Sequence, residues 1–480
     1  MFGPNDEKGS KILATPRTAR RKARVLHIRR TRFPKRRRRA ARFTVNERSF
    51  RNPKLRHGFL IAYKTGADLA AKGTLFVVTV VAARRLSPHA FGVFAIGSTL
   101  GWMAAVASDF GMQLHVARAV ARRPQAARGL FAPWLRLRWL TAAAALAVAG
   151  AVVGLTPSLR VDAAPITVLA LVYVCSGLFE FINYFYRGLS RSDIESTLTL
   201  WQRAGTLGCG VAALMWRPDV TVLAVAMLVP VVVTLAASLR TARSIAPDDN
   251  RNRDPGLPRP SIGAAFRRDV WPIGAGIVLS AAYFRIDVFL VQRWSGTEAV
   301  GLYNAVFRLV DALRLFPAAV MAVALPSLCR AGDLRPLARA AAPVTLSAAA
   351  LGAVLWIAAG ELIPVLYPPH YAAAVPAFRV LVAAFPLMAL NMALTHQLVG
   401  WDRQRVYAAL CAAALVVNIA LNARLIPLYS IDGAAWTTLA TELFLTAGCA
   451  VALWTTDERV RRTTAGAEPR SIQESVAAGS

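Results

Sequence analysis

Apolar residues in this chain come in long runs, and the short stretches between them collect most of the arginine and proline. From about residue 60 there are twelve such runs, at 60–83, 90–112, 139–156, 164–186, 196–216, 220–239, 271–292, 300–325, 341–365, 374–397, 406–426 and 432–454. A helix rises about 1.5 Å per residue, so about 20 apolar residues cross the hydrocarbon core of a bilayer. The pattern therefore predicts an all-α polytopic membrane protein of about twelve transmembrane helices.

Several runs carry charges that such a setting makes costly. Between Val300 and Leu328 lie Arg308, Asp311 and Arg314. At roughly 100° per residue, steps of three hold them within about 120°, one polar stripe on an otherwise greasy helix. A charge at bilayer depth costs at least about 2.5 kcal/mol, so the stripe turns to a protein interior or a water-filled cavity and not to lipid. Lys64, Asp68 and Lys72 in the first run step by four and share about 80° of a helix face. Arg285 and Asp287 are about 200° apart, so one is expected to line a chamber while the other pairs with a neighbouring helix. Arg203 lies in the fifth run beside Gln202, Glu180 and Asn183 in the fourth, Glu361 in the ninth, His396 near the end of the tenth and Glu442 in the twelfth.

Two readings of these charges compete. They are either pairs that hold helices together, such as Arg308 with Asp311 and Lys64 with Asp68, or the lining of a lumen. Each stripe has two cations for one acid, and fixed cations in a low dielectric suit an anionic headgroup such as phosphate. Lys64, Arg84, Arg85, Arg187 and Arg424 sit near run ends, where a long side chain also reaches the interface unaided.

Composition fits a membrane protein: 56% of the 480 residues are hydrophobic and 17% charged. The net charge of +31 would elsewhere point to nucleic acid, but here it is concentrated outside the apolar runs. Residues 1–58 hold 20 Lys or Arg against three acids. They read as a basic cytoplasmic tail against anionic lipid, or as sequence ahead of a true start further on; without aromatic interleaving, a nucleic-acid arm is not expected. The connectors 113–138, 187–195, 240–270, 326–340 and 398–405 carry 20 Lys or Arg between them, the alternate connectors only Arg84, Arg85, Arg160, Arg217 and Arg293. The positive-inside rule then places both termini in the cytoplasm.

The expected organisation is a tail at 1–58, a six-helix lobe at 59–239, a proline-rich cytoplasmic linker at 240–270, a second six-helix lobe at 271–455 and a C-terminal tail at 456–480. A short internal repeat supports two lobes. SPHAFGVFA from Ser87 resembles GTEAVGLYNA from Gly296, with Gly92 matching Gly301 and Phe94 matching Tyr303. The five cysteines are scattered without ligand spacing, so neither disulfide nor metal is expected, and no cofactor. No zinc-protease, nucleophile-elbow or Walker motif is present, so the chain is not read as an enzyme, and any active transport would be secondary.

At LSPHAFGVFA, SDFGMQLHVAR, RIDVFLVQRWSGTEAVGLYNAVFRL, LYPPHYAAAVPAFRVL and VVNIALNARLIPLYSIDGAAWTTLATE the chain resembles the polysaccharide-repeat flippases, the Wzx-type translocases of the MOP superfamily. It departs from them at Pro368 and Pro369 and at Ser430, where the family usually has glycine. The resemblance implies two six-helix lobes around a central cationic cavity that opens alternately to either side. It implies transport of an undecaprenyl-diphosphate-linked oligosaccharide across the inner membrane for O-antigen, capsule or exopolysaccharide synthesis, alongside a polymerase and chain-length proteins. The positions that carry over as substrate-binding cations are Arg285, Arg308 and Arg314, then Lys72 and Arg203, with Asp68 and Asp311 as coupling carboxylates. The alternatives are a MATE-type multidrug or cation antiporter, which would need an acidic cavity, and a membrane polysaccharide polymerase, which would need a long external loop.

Overall fold

The computed structural model describes residues 63, 66, 70, 73–246, 262–330 and 333–465, and all regular structure among them is helical. Eight stretches are long and apolar enough to cross a membrane. Two of these, Ile273–Ala324 and Gln404–Thr456, have 52 and 53 residues, about 80 Å if straight and far more than one crossing needs. Each is broken by one non-helical residue, Gly296 (φ 86°, ψ 178°) in the first and Ser430 (φ 51°, ψ −127°) in the second. Taken as two crossings each, and with Ser192–Trp216 and the first helix (described throughout over 73–85), they are consistent with the twelve segments that the apolar pattern predicts.

The helices, in chain order, are α1 (73–85), α2 (Pro88–Asp109), α3 (Met112–Arg122), α4 (Ala127–Leu155), α5 (Ala163–Gly188), α6 (Ser192–Trp216), α7 (Val220–Ile245), α8 (Trp271–Leu313, broken at Gly296), α9 (Leu315–Arg330), α10 (Arg335–Leu366), α11 (Val375–Gly400) and α12 (Gln404–Ala465, broken at Ser430). In the first lobe α2 packs on α5 and α4, and α7 on α5 and α6. In the second, α8 packs on α12, and α11 on α12, α10 and α9. The lobes meet where α2 lies along α8.

Small residues make that junction possible. A Cβ on Gly92 would collide with the carbonyl oxygen of Thr297, and one on Gly301 would sit 2.7 Å from that of Pro88. The two contacts are mirror statements. Thr297 and Pro88 each lie four residues before the glycine of their own lobe, so the repeat seen in the sequence is a helix crossing in space. At the opposite end of the bundle, a Cβ on Gly274 of α8 would strike Phe110, which turns out of α2 with φ 47° ahead of Gly111 at φ 82°.

Local chemistry fixes several helix ends. Ser87 Oγ accepts from Ala90 N at 3.2 Å and Pro88 occupies the first turn of α2. Asp219 Oδ1 accepts from Thr221 N and Val222 N at the start of α7, and the bond from Val222 together with that from Thr221 holds its carboxyl below the ordinary range.

Four boundaries differ from the sequence expectation. The span expected at 300–325 is interrupted at Arg314, because Pro317 has no N–H for the carbonyl of Leu313 four residues earlier. The connector expected at 113–138 is mostly helical. Its first part, α3, buries Met112, Val116 and Val120 on one face, and α4 begins at Ala127. Arg138, counted there as a loop charge, is fully buried: Nη1 donates to Ser108 Oγ at 2.7 Å and Nε lies 3.6 Å from Asp109 Oδ1. The helices α7 and α12 run on into the segments 240–270 and 456–480, and residues 1–58, 247–261 and 466–480 of the expected tails and linker lie outside the described residues.

Candidate functional site

Between the lobes lies a cavity of about 820 Å³. Its wall follows helical periodicity. From α8 come Ile273, Ile277, Ser280 and Phe284; from α11, Met388, Asn391, Met392, Thr395, His396 and Val399; and from α2, Thr99, Trp102 and Val106, each set one helix face. It reaches the end of the bundle marked by Leu114 and Arg118 of α3, Ile273 and Gln404. Toward the other end the glycine crossing of α2 and α8 closes it, with Phe91 packed edge-on against Tyr371 and Tyr367 donating to Ala305 O at 3.2 Å. Arg84 adds a clasp there. It donates through Nε to Leu366 O at 2.7 Å and through Nη2 to Val365 O, so a first-lobe guanidinium caps the carbonyl end of α10.

Arg285, Arg308, Asp311 and Arg314 all line this cavity. Asp311 is shared at long range, 3.8 Å from Arg308 Nη1 and 3.7 Å from Arg314 Nη1, and no carboxylate of the described residues lies within 4.0 Å of Arg285. Arg285 is 3% exposed. Its Nη2 donates across the lobe junction to Thr99 Oγ1 (3.2 Å) and within its own lobe to Asn304 Oδ1 (3.0 Å), and Phe307 lies under the guanidinium at 4.7 Å. Arg314 stacks on Phe284 at 4.3 Å. In this cluster four buried N–H donors have no partner among the described residues: Arg285 Nη1, Asn304 Nδ2, Arg308 Nε and Arg314 Nε. Buried polar groups are normally paired, so this cluster of open N–H groups is a place prepared for an acceptor.

Asp287, the other charge of that turn, is buried away from the arginine and accepts from Tyr303 OH at 2.6 Å, the separation that their angular offset requires. Glu442 lines the cavity on the α12 side, accepting from Tyr283 OH at 3.0 Å and from Asn391 Nδ2. Arg203 does not reach the cavity; its electrostatic neighbours are Tyr173 and Glu180 of α5, and of these Tyr173 is on the cavity wall. Arg187 is held by Glu180 at 3.0 Å and by Glu195 at 2.6 Å, an ion-pair cluster within the first lobe. Lys64, Asp68 and Lys72 lie outside the described residues.

Thr99, Phe284 and Asn391 were not singled out in the sequence, and Asn304 and Arg118 only as part of motifs. Asn304 was within reach, since it precedes Arg308 by one turn on the same stripe. Thr99 and Trp102 occupy the positions of Arg308 and Asp311 when the lobes are aligned on Gly92 and Gly301.

Comparison with solved structures shows the same fold at low identity. The chain resembles the MATE multidrug transporter DinF-BH (TM-score 0.61, 13% identity, 86% of this chain and 98% of that one). It also resembles a single-residue mutant of the Vibrio cholerae MATE transporter VcmN (0.59, 13%, 84% and 97%) and the lipid II flippase MurJ in an inward closed conformation (0.57, 10%, 82% and 88%). A search of curated proteins finds no match. The family described as polysaccharide biosynthesis protein matches residues 61–331, more than half of the chain, and takes in α2, the lobe junction and all three cavity arginines of α8 and its break. The protein belongs to that polysaccharide biosynthesis family, and its helical fold is similar to that of the MATE transporters and MurJ.

Proposed function

We propose that the protein carries a polyprenyl-diphosphate-linked oligosaccharide from the cytoplasmic to the outer face of the plasma membrane by alternating opening of the two lobes. The observation that carries this reading is Arg285: almost fully buried, without a carboxylate partner, and surrounded by further open donors on Asn304, Arg308 and Arg314. An unpaired buried cation is costly, and a diphosphate supplies both the charge and the acceptor oxygens that offset it. Diphosphate and sugar cannot enter hydrocarbon, so a polar path is needed while the lipid tail stays in the bilayer.

The end that the cavity reaches carries Arg118, Arg122, Arg123, Arg128 and, on the linker side, Arg267 and Arg268. By the positive-inside rule this end is cytoplasmic, and the state is one open for loading. An acidic cavity, as a cationic drug would require, is not what the wall offers: four arginines stand against Asp311 and Glu442. Asp311, between two arginines, is the carboxylate best placed to couple release of the anion to a counter-ion.

The test is replacement of Arg285 by Gln, and of Arg308 and Arg314 by Ala, scored for surface polysaccharide and for membrane insertion. Loss of one or two charge-assisted bonds weakens the anion by about 10- to 100-fold, so polysaccharide should fall to background while insertion is kept. Normal polysaccharide from all three variants would end the proposal.

A further inference from the structure

The chamber wall changes character between two adjacent residues of α8. Phe284 lies under the guanidinium of Arg314, while Tyr283 beside it donates to Glu442. On the Glu442 side, none of the lining residues contributed by α11 and α12 is a lysine or arginine. The groups there are hydroxyls, an imidazole and amides.

Their hydrogen-bonding roles follow from the partners they already have. His396 Nδ1 lies 2.6 Å from Met392 O, and a carbonyl only accepts, so Nδ1 carries a proton and Nε2 is left for a ligand. Thr395 Oγ1 spends its proton on Asn391 O at 2.8 Å and keeps its lone pairs. Tyr407 OH and Ser280 Oγ are 3.3 Å apart with the Cys411 thiol beside both, so the pair shares two protons and keeps lone pairs on its oxygens. Gln404, exposed at the mouth, brings both a donor and an acceptor. This face thus mixes acceptors with a few donors. A phosphate at neutral pH is acceptor-rich and repelled by Glu442, whereas a sugar matches it, since every hydroxyl both donates and accepts.

We infer that the face built from Ser280, Thr395, His396, Gln404 and Tyr407 is a saccharide subsite, which holds the sugar adjoining the diphosphate. Glu442 at its border makes it selective for neutral or amino-bearing sugars over uronic acids. The inference rests on the reading that the arginine side takes the diphosphate, and it fixes the direction of the ligand in the chamber, with the anion against α8 and the sugar against α11 and α12.

The experiment measures binding of three probes to the purified full-length protein: undecaprenyl diphosphate, the same lipid carrying one N-acetylhexosamine, and the same lipid carrying one uronic acid. In the unaltered protein, the hexosamine probe binds tighter than the bare lipid diphosphate. His396→Ala and Tyr407→Phe each weaken the hexosamine probe by about 3- to 10-fold and leave the bare lipid diphosphate within about twofold. Glu442→Gln tightens the uronic acid probe several-fold relative to the hexosamine one. Equal weakening of both non-acidic probes, or no gain from the sugar in the unaltered protein, overturns the subsite. An unchanged uronic acid ratio overturns the selectivity. Arg285→Gln weakens all three probes; if the unaltered protein binds none of them, the diphosphate reading has failed on its own account.

Discussion

The two lobes share a glycine crossing and differ in the chemistry they bring to the chamber. Aligned on Gly92 and Gly301, α2 and the second half of α8 cross one another, and each glycine admits a carbonyl from the other lobe. Beyond the crossing, the shared geometry carries different side chains to the chamber. Where the second lobe has Arg308 and Asp311, the first has Thr99 and Trp102. The crossing is shared and the chamber-facing positions are not, so that cations stand on one wall and a hydroxyl and an indole face them. The corners differ as well. In the first lobe the turns ahead of α2 and α7 are capped, by Ser87 and Asp219. In the second lobe the corresponding corners are kinks made by single positive-φ residues, Gly296 and Ser430.

If the crossing is a shared hinge surface, it is the place where the comparison breaks most easily. Gly301→Val puts a branched side chain where a single Cβ already meets Pro88 O at 2.7 Å, and Gly92→Val meets Thr297 in the same way. Overpacking of this kind costs about 1–3 kcal/mol, and here the whole cost falls on the state closed at that end. Both variants should therefore lose surface polysaccharide and shift the lobes about 10- to 100-fold toward outward opening. Labelling Ala95→Cys, fully buried on α2, with a membrane-impermeant thiol reagent reads that shift. Loss in one variant and not in the other would show that the two glycines are not equivalent.

Arg84 belongs to the same closed end but has no such symmetry, since among the described residues only the first lobe offers a guanidinium to cap a helix of the second. Arg84→Ala leaves the carbonyls of Val365 and Leu366 to water. Because the site is exposed, water replaces much of what is lost, and the shift in Ala95→Cys labelling should be a few-fold, well below that of the glycine variants. A change as large as that of Gly301→Val would make the clasp, and not the crossing, the main restraint on opening.

How much of this could be read from the chain depends on the range of each interaction. The apolar runs and the stripe of Arg308, Asp311 and Arg314 are local patterns: the long apolar helices are consistent with the expected twelve crossings, and the stripe lines the cavity. The opposite faces of Arg285 and Asp287 followed from their spacing alone. What periodicity could not show was the partner wall. Thr99 is one hydroxyl in an apolar helix until Arg285, 186 positions away, donates to it. Arg138 misled for the converse reason. Its neighbours in sequence are arginine-rich, yet Ser108 and Asp109 at the end of α2 make a buried place for it. The run through Arg314 was read as one helix because it is apolar on both sides of Pro317, and hydropathy does not register a missing N–H.

The corners give the smallest and cleanest contrast. Ser430 holds φ 51° with ψ −127°, a region that glycine enters freely and a residue with a Cβ enters at about 1 kcal/mol or more. Glycine is what the resemblance led one to expect at that position. Gly296, at φ 86°, has nothing within 4 Å of where a Cβ would stand, so a side chain there would be penalised by backbone conformation and not by collision. The pair therefore isolates the conformational term. Ser430→Gly should raise the thermal midpoint in detergent by about 2 °C, and Gly296→Ser should lower it by a comparable amount, while binding of a lipid diphosphate is unchanged in both. A lowered midpoint for Ser430→Gly would mean that the serine side chain contributes more at the corner than the backbone costs.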